Sequence, residues 1–348
     1  MSIKKWLKSV IVGTALCSMM PTFGVTIDKI IVFGDSLSDN GNVYNMLATA
    51  RNVIPLVPLI PKNPPYFEGR FTNGYVWIEH VSKSLNVPLV NYAYGGAWVE
   101  GFFDSMQILP PSLGMQVDMY SVAPSTIIDF KMHQHLYVIW AGNNDYLKGR
   151  TNPDYATTNT VDTLSSQIDW LVRMGAKHFI VLNLPDLSRT PTAMLQGPNF
   201  AVALQKMVDQ HNAKLTNRLN KLQKDHPDVD IIYVDIMSDF YDLINNPSKY
   251  GFKSVDKACY NGDFMFAARQ FAHDPGIEAA KEAKFEVANN SVLMDAYVNS
   301  LAATRGYRPC HNPDEFLFWD KTHPTRIAHQ LLGLSVSLKL AEFGIVGR

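Results

Sequence analysis

Short apolar runs rich in β-branched residues alternate along this chain with longer segments that carry the apolar spacing of helices. The short runs cover residues 29–33, 87–92, 136–141, 178–183 and 230–234. Parallel strands need a crossover connection, usually a helix, so this alternation favours a parallel sheet with helices on both faces. The sequence therefore predicts an α/β fold, a three-layer α/β/α sandwich around a parallel sheet of roughly five strands.

Three segments have the apolar spacing of helices. Residues 160–174 form the first and residues 199–224 the second. One stripe of the second consists of Leu204, Val208, His211, Leu215, Leu219 and Leu222. On this stripe His211 is interpreted as a core histidine bonded to the backbone. The third helix begins after Pro324 with Thr325 as its N-cap. Its packed face is expected to comprise Ile327, Leu331, Leu334 and Leu338.

The composition describes a globular protein with no electrostatic preference for nucleic acid. Hydrophobic residues make up 47% of the 348 residues, charged residues make up 18%, and the formal net charge is −1. Such a chain can bury a sizeable core, and it lacks the basic balance that nucleic-acid binding requires. We expect one domain over residues 25–348, with insertions at 53–67 and at about 250–312.

Residues 1–24 have the layout of a secretory signal peptide. Lys4, Lys5 and Lys8 give a basic start, residues 10–20 form an apolar centre, and Thr22 and Gly24 fit a cleavage site. The apolar centre is too short to span a bilayer comfortably. We expect cleavage near Gly24 and a secreted or periplasmic protein, with an uncleaved amino-terminal anchor as the alternative.

Two cysteines, Cys259 and Cys310, follow that segment. An even number of cysteines in an exported chain favours a disulfide, with two free buried thiols as the alternative. A cysteine pair without a clustered pair of histidines does not favour a zinc site. The sequence also contains no phosphate-cradling glycine loop or nicotinamide fingerprint, so we expect neither a metal nor an organic cofactor.

A serine stands where the first predicted strand turns toward a helix. Gly34, Asp35 and Ser36 follow the apolar run directly, which places the Ser36 hydroxyl at the carboxyl edge of the sheet. A serine hydroxyl needs a neighbouring base to become a nucleophile. His323 near the other end of the chain could be that base, and Asp320, three residues before it, could orient the imidazole.

Donors for a developing oxyanion are also available at the ends of predicted strands. Ser36 can offer its own backbone N–H, Gly96 allows close approach of a backbone N–H, and Asn144 carries a side-chain amide. Asp39 and Asn42 are expected to brace the turn after Ser36, and Asp145 to hold the loop of Asn144. His311 and His329 lack a paired acid and are not expected to be catalytic.

Four blocks of the sequence together resemble those of GDSL (SGNH) esterases and lipases. They are Gly34-Asp35-Ser36-Leu37-Ser38, the Gly95-Gly96 turn, Gly142-Asn143-Asn144-Asp145 and Asp320-Lys321-Thr322-His323. The segment 69–74 is similar to a further block of larger members. Ser38 stands where the Gly-x-Ser-x-Gly signature has its last glycine, which argues against a conventional α/β-hydrolase.

The resemblance implies a flavodoxin-like SGNH-hydrolase fold with Ser36 as the nucleophile. It implies Asp320 and His323 as its partners, and Ser36, Gly96 and Asn144 as oxyanion donors. Gly95 and Asn143 are the adjacent alternatives.

Length, expected export and the cysteine pair resemble the bacterial secreted branch of lysophospholipases, phospholipases A and glycerophospholipid–cholesterol acyltransferases. This implies hydrolysis of lipid esters through an acyl-serine, with acyl transfer to a lipid alcohol as a second outcome. Residues 53–60 and 98–109 could line an apolar groove, and transient contact with a membrane surface is expected. An exported carbohydrate O-acetylesterase or short-chain esterase and a non-catalytic lipid-binding module are the alternatives. The sequence does not identify protein partners.

Overall fold

The computed structural model describes residues 24–53, 59–99, 110–147, 152–262 and 308–348. The predicted signal peptide, most of the predicted groove segments and much of the segment between the cysteines lie outside the described residues. Two short parallel pairs accompany the central sheet. They are Val25–Ile27 (β1) with Ile345–Gly347 (β9), and Ser254–Ala258 (β7) with Phe316–Phe318 (β8).

The central sheet has five parallel strands, as predicted. They are Lys29–Gly34 (β2), Leu89–Asn91 (β3), His135–Trp140 (β4), His178–Leu182 (β5) and Asp230–Val234 (β6). Their spatial order is β3-β2-β4-β5-β6, so the order reverses at β2. Ligands of such sheets bind at the carboxyl ends of the strands beside this reversal, and Ser36 follows β2.

Helices cover both faces of the sheet and confirm the three-layer prediction. They are Asn42–Arg51 (α1), Trp77–Leu85 (α2), Leu113–Val122 (α3), Pro124–Ile127 (α4), Asn143–Leu147 (α5), Pro153–Met174 (α6), Pro191–Gln196 (α7), Pro198–Asp225 (α8), Ile236–Asn245 (α9) and Arg326–Glu342 (α10). None of the helices in the described ranges is both long and apolar enough to cross a membrane.

Each face of the sheet has its own hydrophobic core. One core packs α2, α7, the first turns of α8 and the end of α10 against the sheet. The other packs α3, α6 and the later turns of α8 against the opposite face. A smaller cluster joins α9, β8 and the start of α10. The helix α6 begins at Pro153, earlier than predicted, because Asn152 caps it and proline is well suited to a first helical turn.

The last helix begins where predicted, but its capping bond and its packing differ from the prediction. Thr325 is the N-cap residue of α10, yet its hydroxyl donates to the carbonyl of Phe316 and does not cap the helix. Asn73, from a distant segment, accepts the N–H of Arg326 in its place. Leu334 and Leu338 are 38% and 45% exposed, so the predicted apolar face does not pack as a whole. A long-range cap of this kind leaves no local signal in the sequence.

The prediction for His211 is correct in burial and wrong in partner. The residue is fully buried on the predicted stripe of α8. Its Nδ1 lies 2.8 Å from the hydroxyl of Tyr146, a side chain and not the backbone. Burial lowers the pKa of His211 to about 3, so the imidazole is neutral.

Candidate active site

Side chains from both ends of the chain meet at the carboxyl edge of the sheet. The Nε2 atom of His323 lies 2.8 Å from the Oγ of Ser36. Its Nδ1 lies 2.8 Å from Oδ2 of Asp320 and 3.0 Å from Oδ1. These three side chains are buried, with exposures of 8% for Ser36, 3% for His323 and 0% for Asp320. The predicted nucleophile, base and acid therefore form one continuous chain of hydrogen bonds.

Hydrogen bonds hold Asp320 as a carboxylate. The backbone N–H groups of Thr322 and His323 donate to its Oδ1, and the hydroxyl of Tyr66 donates to its Oδ2 at 2.7 Å. Burial acts to raise the pKa of Asp320, but the adjoining His323 and these backbone donors lower it below its ordinary value. A carboxylate can only accept, so His323 donates from Nδ1, which directs the lone pair of Nε2 at the hydroxyl of Ser36.

The turn that carries Ser36 is held by two buried aspartates. Asp35 accepts the N–H of Leu37 at 3.0 Å and the side-chain amide of Asn143 at 2.9 Å. Asp39 accepts the backbone N–H groups of Gly41, Asn42, Val43 and Gly95. Burial raises the pKa of Asp39 to about 6 despite these donors. The expected bracing role of Asp39 is therefore present.

Gln116 secures the end of β2 just before the turn. Its side-chain oxygen accepts the N–H of Gly34 at 2.9 Å, and its side-chain nitrogen donates to the carbonyl of Gly34 at the same distance. The side chain is fully buried. Its amide thus pairs with the backbone of Gly34 on both sides. Sequence analysis missed Gln116 because a lone glutamine in a helix carries no pattern.

The structure distinguishes Gly96 from Gly95 as an oxyanion donor. The N–H of Gly95 donates to Asp39 at 2.8 Å and is therefore occupied. No residue in the described ranges accepts the N–H of Gly96. Gly96 has a φ of 79°, a left-handed conformation that glycine adopts without strain. This geometry favours Gly96.

Asn144 lies beside the same loop. Its amide nitrogen donates to the carbonyl of Ala97 at 2.8 Å, and the side chain of Asp145 accepts the N–H of Val99 at 3.0 Å. These two bonds connect the loop after β3 to the start of α5. An amide nitrogen has two hydrogens, so Asn144 retains one for a substrate. Asn143 instead directs its amide to Asp35.

The segment 69–74 positions the loop of His323. The hydroxyl of Thr72 donates to the carbonyl of Pro324 at 2.8 Å, and the ring of Phe71 lies 5.3 Å from the imidazole of His323. Asn73 caps the helix that follows. The role of the segment 69–74 is thus to hold the base, through contacts that only the folded chain creates.

A family model for the GDSL-like lipase/acylhydrolase family matches residues 30–336. This chain belongs to that family. The match contains each of the site residues named above, and the family assignment confirms the resemblance. The predicted fold class is confirmed as well, because the observed sheet order is that of a flavodoxin-like sandwich.

Relatives of this GDSL-family protein include enzymes from bacteria and plants. It is 28% identical over 335 residues to a phosphatidylcholine-sterol acyltransferase of Aeromonas hydrophila, covering 95% of both chains. It is 26% identical to a thermolabile hemolysin of Vibrio parahaemolyticus, covering 91% of this chain and 65% of that protein. A GDSL esterase/lipase of Arabidopsis thaliana is 23% identical, covering 86% of this chain and 84% of that protein.

The predicted disulfide between Cys259 and Cys310 is present in this GDSL-family protein. It belongs to a buried cluster with Tyr66, Tyr260 and Trp319. The backbone N–H of Tyr260 donates to the carbonyl of Trp319 at 2.7 Å. The disulfide therefore packs against the residue before Asp320 and against the tyrosine that binds Asp320.

Tyr66 lies in a segment that the sequence indicated only as an insertion. Residues 53–67 are rich in proline and apolar side chains, which gave no indication of a contact with Asp320.

Among the described residues, no group of three or more histidine, cysteine, aspartate and glutamate side chains could hold a metal ion.

Proposed function

We propose that this protein is a serine hydrolase that cleaves carboxylic esters of lysophospholipids or phospholipids through an acyl-serine intermediate. The observation that carries the proposal is the chain of hydrogen bonds from Ser36 through His323 to Asp320. Such a chain activates a serine hydroxyl, which is a weak nucleophile by itself. A binding module would not require this arrangement.

The first half of the reaction acylates the enzyme. Ser36 Oγ attacks the ester carbonyl while Nε2 of His323 removes its proton. The negative charge then moves to the carbonyl oxygen, where the N–H groups of Ser36 and Gly96 and the amide of Asn144 would donate to it. As the intermediate collapses, His323 gives the proton to the departing alcohol, which leaves the acyl group on Ser36.

The second half transfers the acyl group to an acceptor. His323 removes a proton from the acceptor hydroxyl, the acceptor oxygen attacks the acyl carbonyl, and Ser36 recovers its proton. Water as the acceptor gives a fatty acid, and a lipid alcohol gives a new ester. The relative from Aeromonas hydrophila is named for transfer from phosphatidylcholine to a sterol, which supports a phospholipid donor and transfer as a second outcome here.

Export and transient contact with a membrane surface are parts of the same proposal. The basic, apolar and small residues of positions 1–24 support cleavage near Gly24 and a secreted or periplasmic location. Amino-terminal sequencing of the protein recovered from the culture fluid or periplasm tests this. A start near Val25 is expected, and a chain that retains residue 1 in the membrane fraction would contradict it.

Release of fatty acid from lysophosphatidylcholine by the purified protein tests the enzymatic proposal. We expect release by wild type and its loss in Ser36→Ala by at least about a thousandfold. Ser38→Ala is the matched control, since its Oγ accepts a hydrogen bond from Trp77 and does not touch His323. It should retain turnover within about tenfold.

The other outcomes select among the alternatives. Turnover of acetylated sugars or short esters without turnover of lysophospholipid would favour the O-acetylesterase or short-chain esterase. Lipid binding that survives Ser36→Ala, without turnover of any ester by wild type, would favour the binding module and contradict the proposal. Phospholipid hydrolysis in vesicles that contain a sterol, analysed for sterol esters, separates water from a lipid alcohol as the acceptor.

A further inference from the structure

A cavity of about 650 Å³ extends from Ser36 and His323 into the helical layer on one face of the sheet. It lies between α9 and α10, and Trp140 and Val234 from the ends of β4 and β6 also line it. Ligand pockets commonly have volumes of roughly 300–1,000 Å³. The cavity is therefore large enough for a substantial part of a substrate.

The walls of the cavity come from two different hydrophobic clusters. Ile236 belongs to the main core on this face, and Leu332 packs against that core. Phe240, Leu243 and Leu331 pack against the smaller cluster of α9, β8 and α10. The cavity thus follows the seam between the two clusters. Apolar walls of this kind favour an apolar occupant, since each methylene transferred from water contributes about 0.8 kcal/mol.

The length of the apolar wall matches a membrane lipid. Along α10 the apolar residues of the lining run from Ala328 to Leu338, which spans about 15 Å at a rise of 1.5 Å per residue, before the polar Lys339 and Glu342. The hydrocarbon core of a bilayer is about 30 Å thick, so one acyl chain of a leaflet extends over about 15 Å. An extended acyl chain is therefore about as long as this apolar part of the wall.

The polar groups of the cavity have partners of their own. The hydroxyl of Ser335 donates to Asp239 at 2.7 Å, which joins α10 to α9 across the cavity. Burial raises the pKa of Asp239, consistent with surroundings of low polarity. The lysines Lys249 and Lys339 line the far end, where Lys249 pairs with Asp242. The described residues that line the cavity next to Ser36 include no cation for a phosphate group.

We infer that this cavity binds the acyl chain of the substrate, with its carbonyl at Ser36 and its methyl end near Leu243 and Leu338. This deepens the proposed function and rests on it. Beyond Leu338 the described lining of the cavity is polar, with Lys249, Lys339 and Glu342 at its far end. Long chains of membrane lipids should therefore be accepted, and selectivity should arise along the wall between α9 and α10.

Two isomeric esters test which side of the ester enters the cavity. Ethyl palmitate carries its long chain on the acyl side, and hexadecyl acetate carries it on the alcohol side. In identical detergent micelles, Leu338→Trp and Leu243→Trp should each lower kcat/KM for ethyl palmitate about tenfold or more. Turnover of hexadecyl acetate and of ethyl acetate should change by less than about twofold.

Leu334→Trp is the matched control for Leu338→Trp. Both leucines lie on α10 with similar exposure, 38% and 45%, but only Leu338 lines the cavity. The control should leave turnover of all three esters within about twofold of wild type. A selective loss of hexadecyl acetate turnover in the cavity variants, an equal loss for all esters, or no loss at all would each overturn the inference.

A measurement on the wild-type protein does not depend on whether those variants fold. A p-nitrophenyl ester of a hexadecyl phosphonate, with a diazirine near the end of the alkyl chain, would phosphonylate Ser36 Oγ with release of p-nitrophenol, and the adduct would then be irradiated. Labelled peptides should come from Ile236–Asn245 or Arg326–Glu342. Labelling confined to other segments would contradict the inference. If wild type releases fatty acid from lysophosphatidylcholine and Ser36→Ala does not, failure of the acyl-chain inference leaves the proposed function intact.

Discussion

Two buried histidines lie at opposite edges of the sheet, and both are bonded to carboxylates. At the carboxyl edge, His323 binds Asp320 through Nδ1 and Ser36 through Nε2. At the amino edge, His135 binds Asp28 through Nδ1 at 2.7 Å and Asp129 through Nε2 at 2.8 Å. Both imidazoles are almost completely buried, with exposures of 3% and 1%.

The two constellations differ in what the second nitrogen meets. Both nitrogens of His135 lie within hydrogen-bond distance of carboxylates, and Lys29 donates a further hydrogen bond to Asp129 at 3.0 Å. Neither nitrogen of His135 faces a hydroxyl group. One nitrogen of His323 faces a carboxylate and the other faces a hydroxyl, so Nε2 can accept the hydroxyl proton and return it. A buried histidine beside a carboxylate is therefore not in itself a catalytic site. Whether it can act as a base depends on the group that its other nitrogen faces.

The largest expected effect separates the two histidines directly. His323→Gln should lower kcat for a soluble ester by roughly 10⁴-fold or more, because the base is lost. His135→Gln should leave kcat of the folded protein near wild type but lower the free energy of unfolding by about 3 kcal/mol, because two carboxylates lose their partner. Kinetics and urea unfolding of both variants check this. Similar losses of kcat in both would contradict the comparison.

The second effect concerns neighbouring asparagines at the carboxyl edge. Asn144→Ala should lower kcat about 10²- to 10³-fold, because an oxyanion donor is removed. Asn143→Ala should lower kcat less than about tenfold, since its amide binds Asp35 and not the substrate. Steady-state kinetics on one soluble ester are sufficient. The larger loss in Asn143→Ala would transfer the oxyanion role to that residue.

The third effect is a pH dependence of opposite sign at the two edges. The pKa of Asp39 is raised to about 6, so its contribution to stability is largest below about pH 4 and is lost as the pH rises through about 6. Burial acts to raise the pKa of Asp129, but His135, the N–H of Lys131 and Lys29 lower it, so its contribution is lost as the pH falls below about 4.

Unfolding by urea between pH 3 and pH 8 tests that dependence, because this interval includes the pH values at which the two contributions to stability change. The difference in free energy of unfolding between wild type and Asp39→Asn should fall as the pH rises. The difference between wild type and Asp129→Asn should rise with the pH. Slopes of the same sign would show that one of the two carboxylates does not titrate as described.

The smallest effect tests, for the acid of each constellation, the side-chain donor other than histidine. Tyr66→Phe should lower kcat about three- to tenfold with KM unchanged, because Asp320 loses a hydroxyl donor that helps to hold it. Lys29→Met, which removes the corresponding donor to Asp129, should leave kcat unchanged. An unaltered kcat in Tyr66→Phe would show that the two backbone donors hold Asp320 without the hydroxyl.

The sequence could predict the parts of the molecule that depend on local pattern. The five central strands were predicted within two residues at each end, because buried parallel strands form continuous apolar runs. Ser36, Asn144, Asp320 and His323 could be proposed because each follows a strand or precedes a helix in a recognisable block. The three-residue strands β1, β8 and β9 have no pattern long enough to detect and exist only through their partners.

The sequence by itself determined the order of strands and helices, the family blocks and the residue types of the candidate site. Only the tertiary structure decided that Tyr66 binds Asp320, that Asn73 caps α10 and that Gly96 rather than Gly95 offers its N–H. It also decided that the second nitrogen of His323 faces the hydroxyl of Ser36, whereas the second nitrogen of His135 faces another carboxylate. Local pattern arises from the spacing of apolar residues along the chain, whereas these contacts join segments that come together only when the sheet is packed.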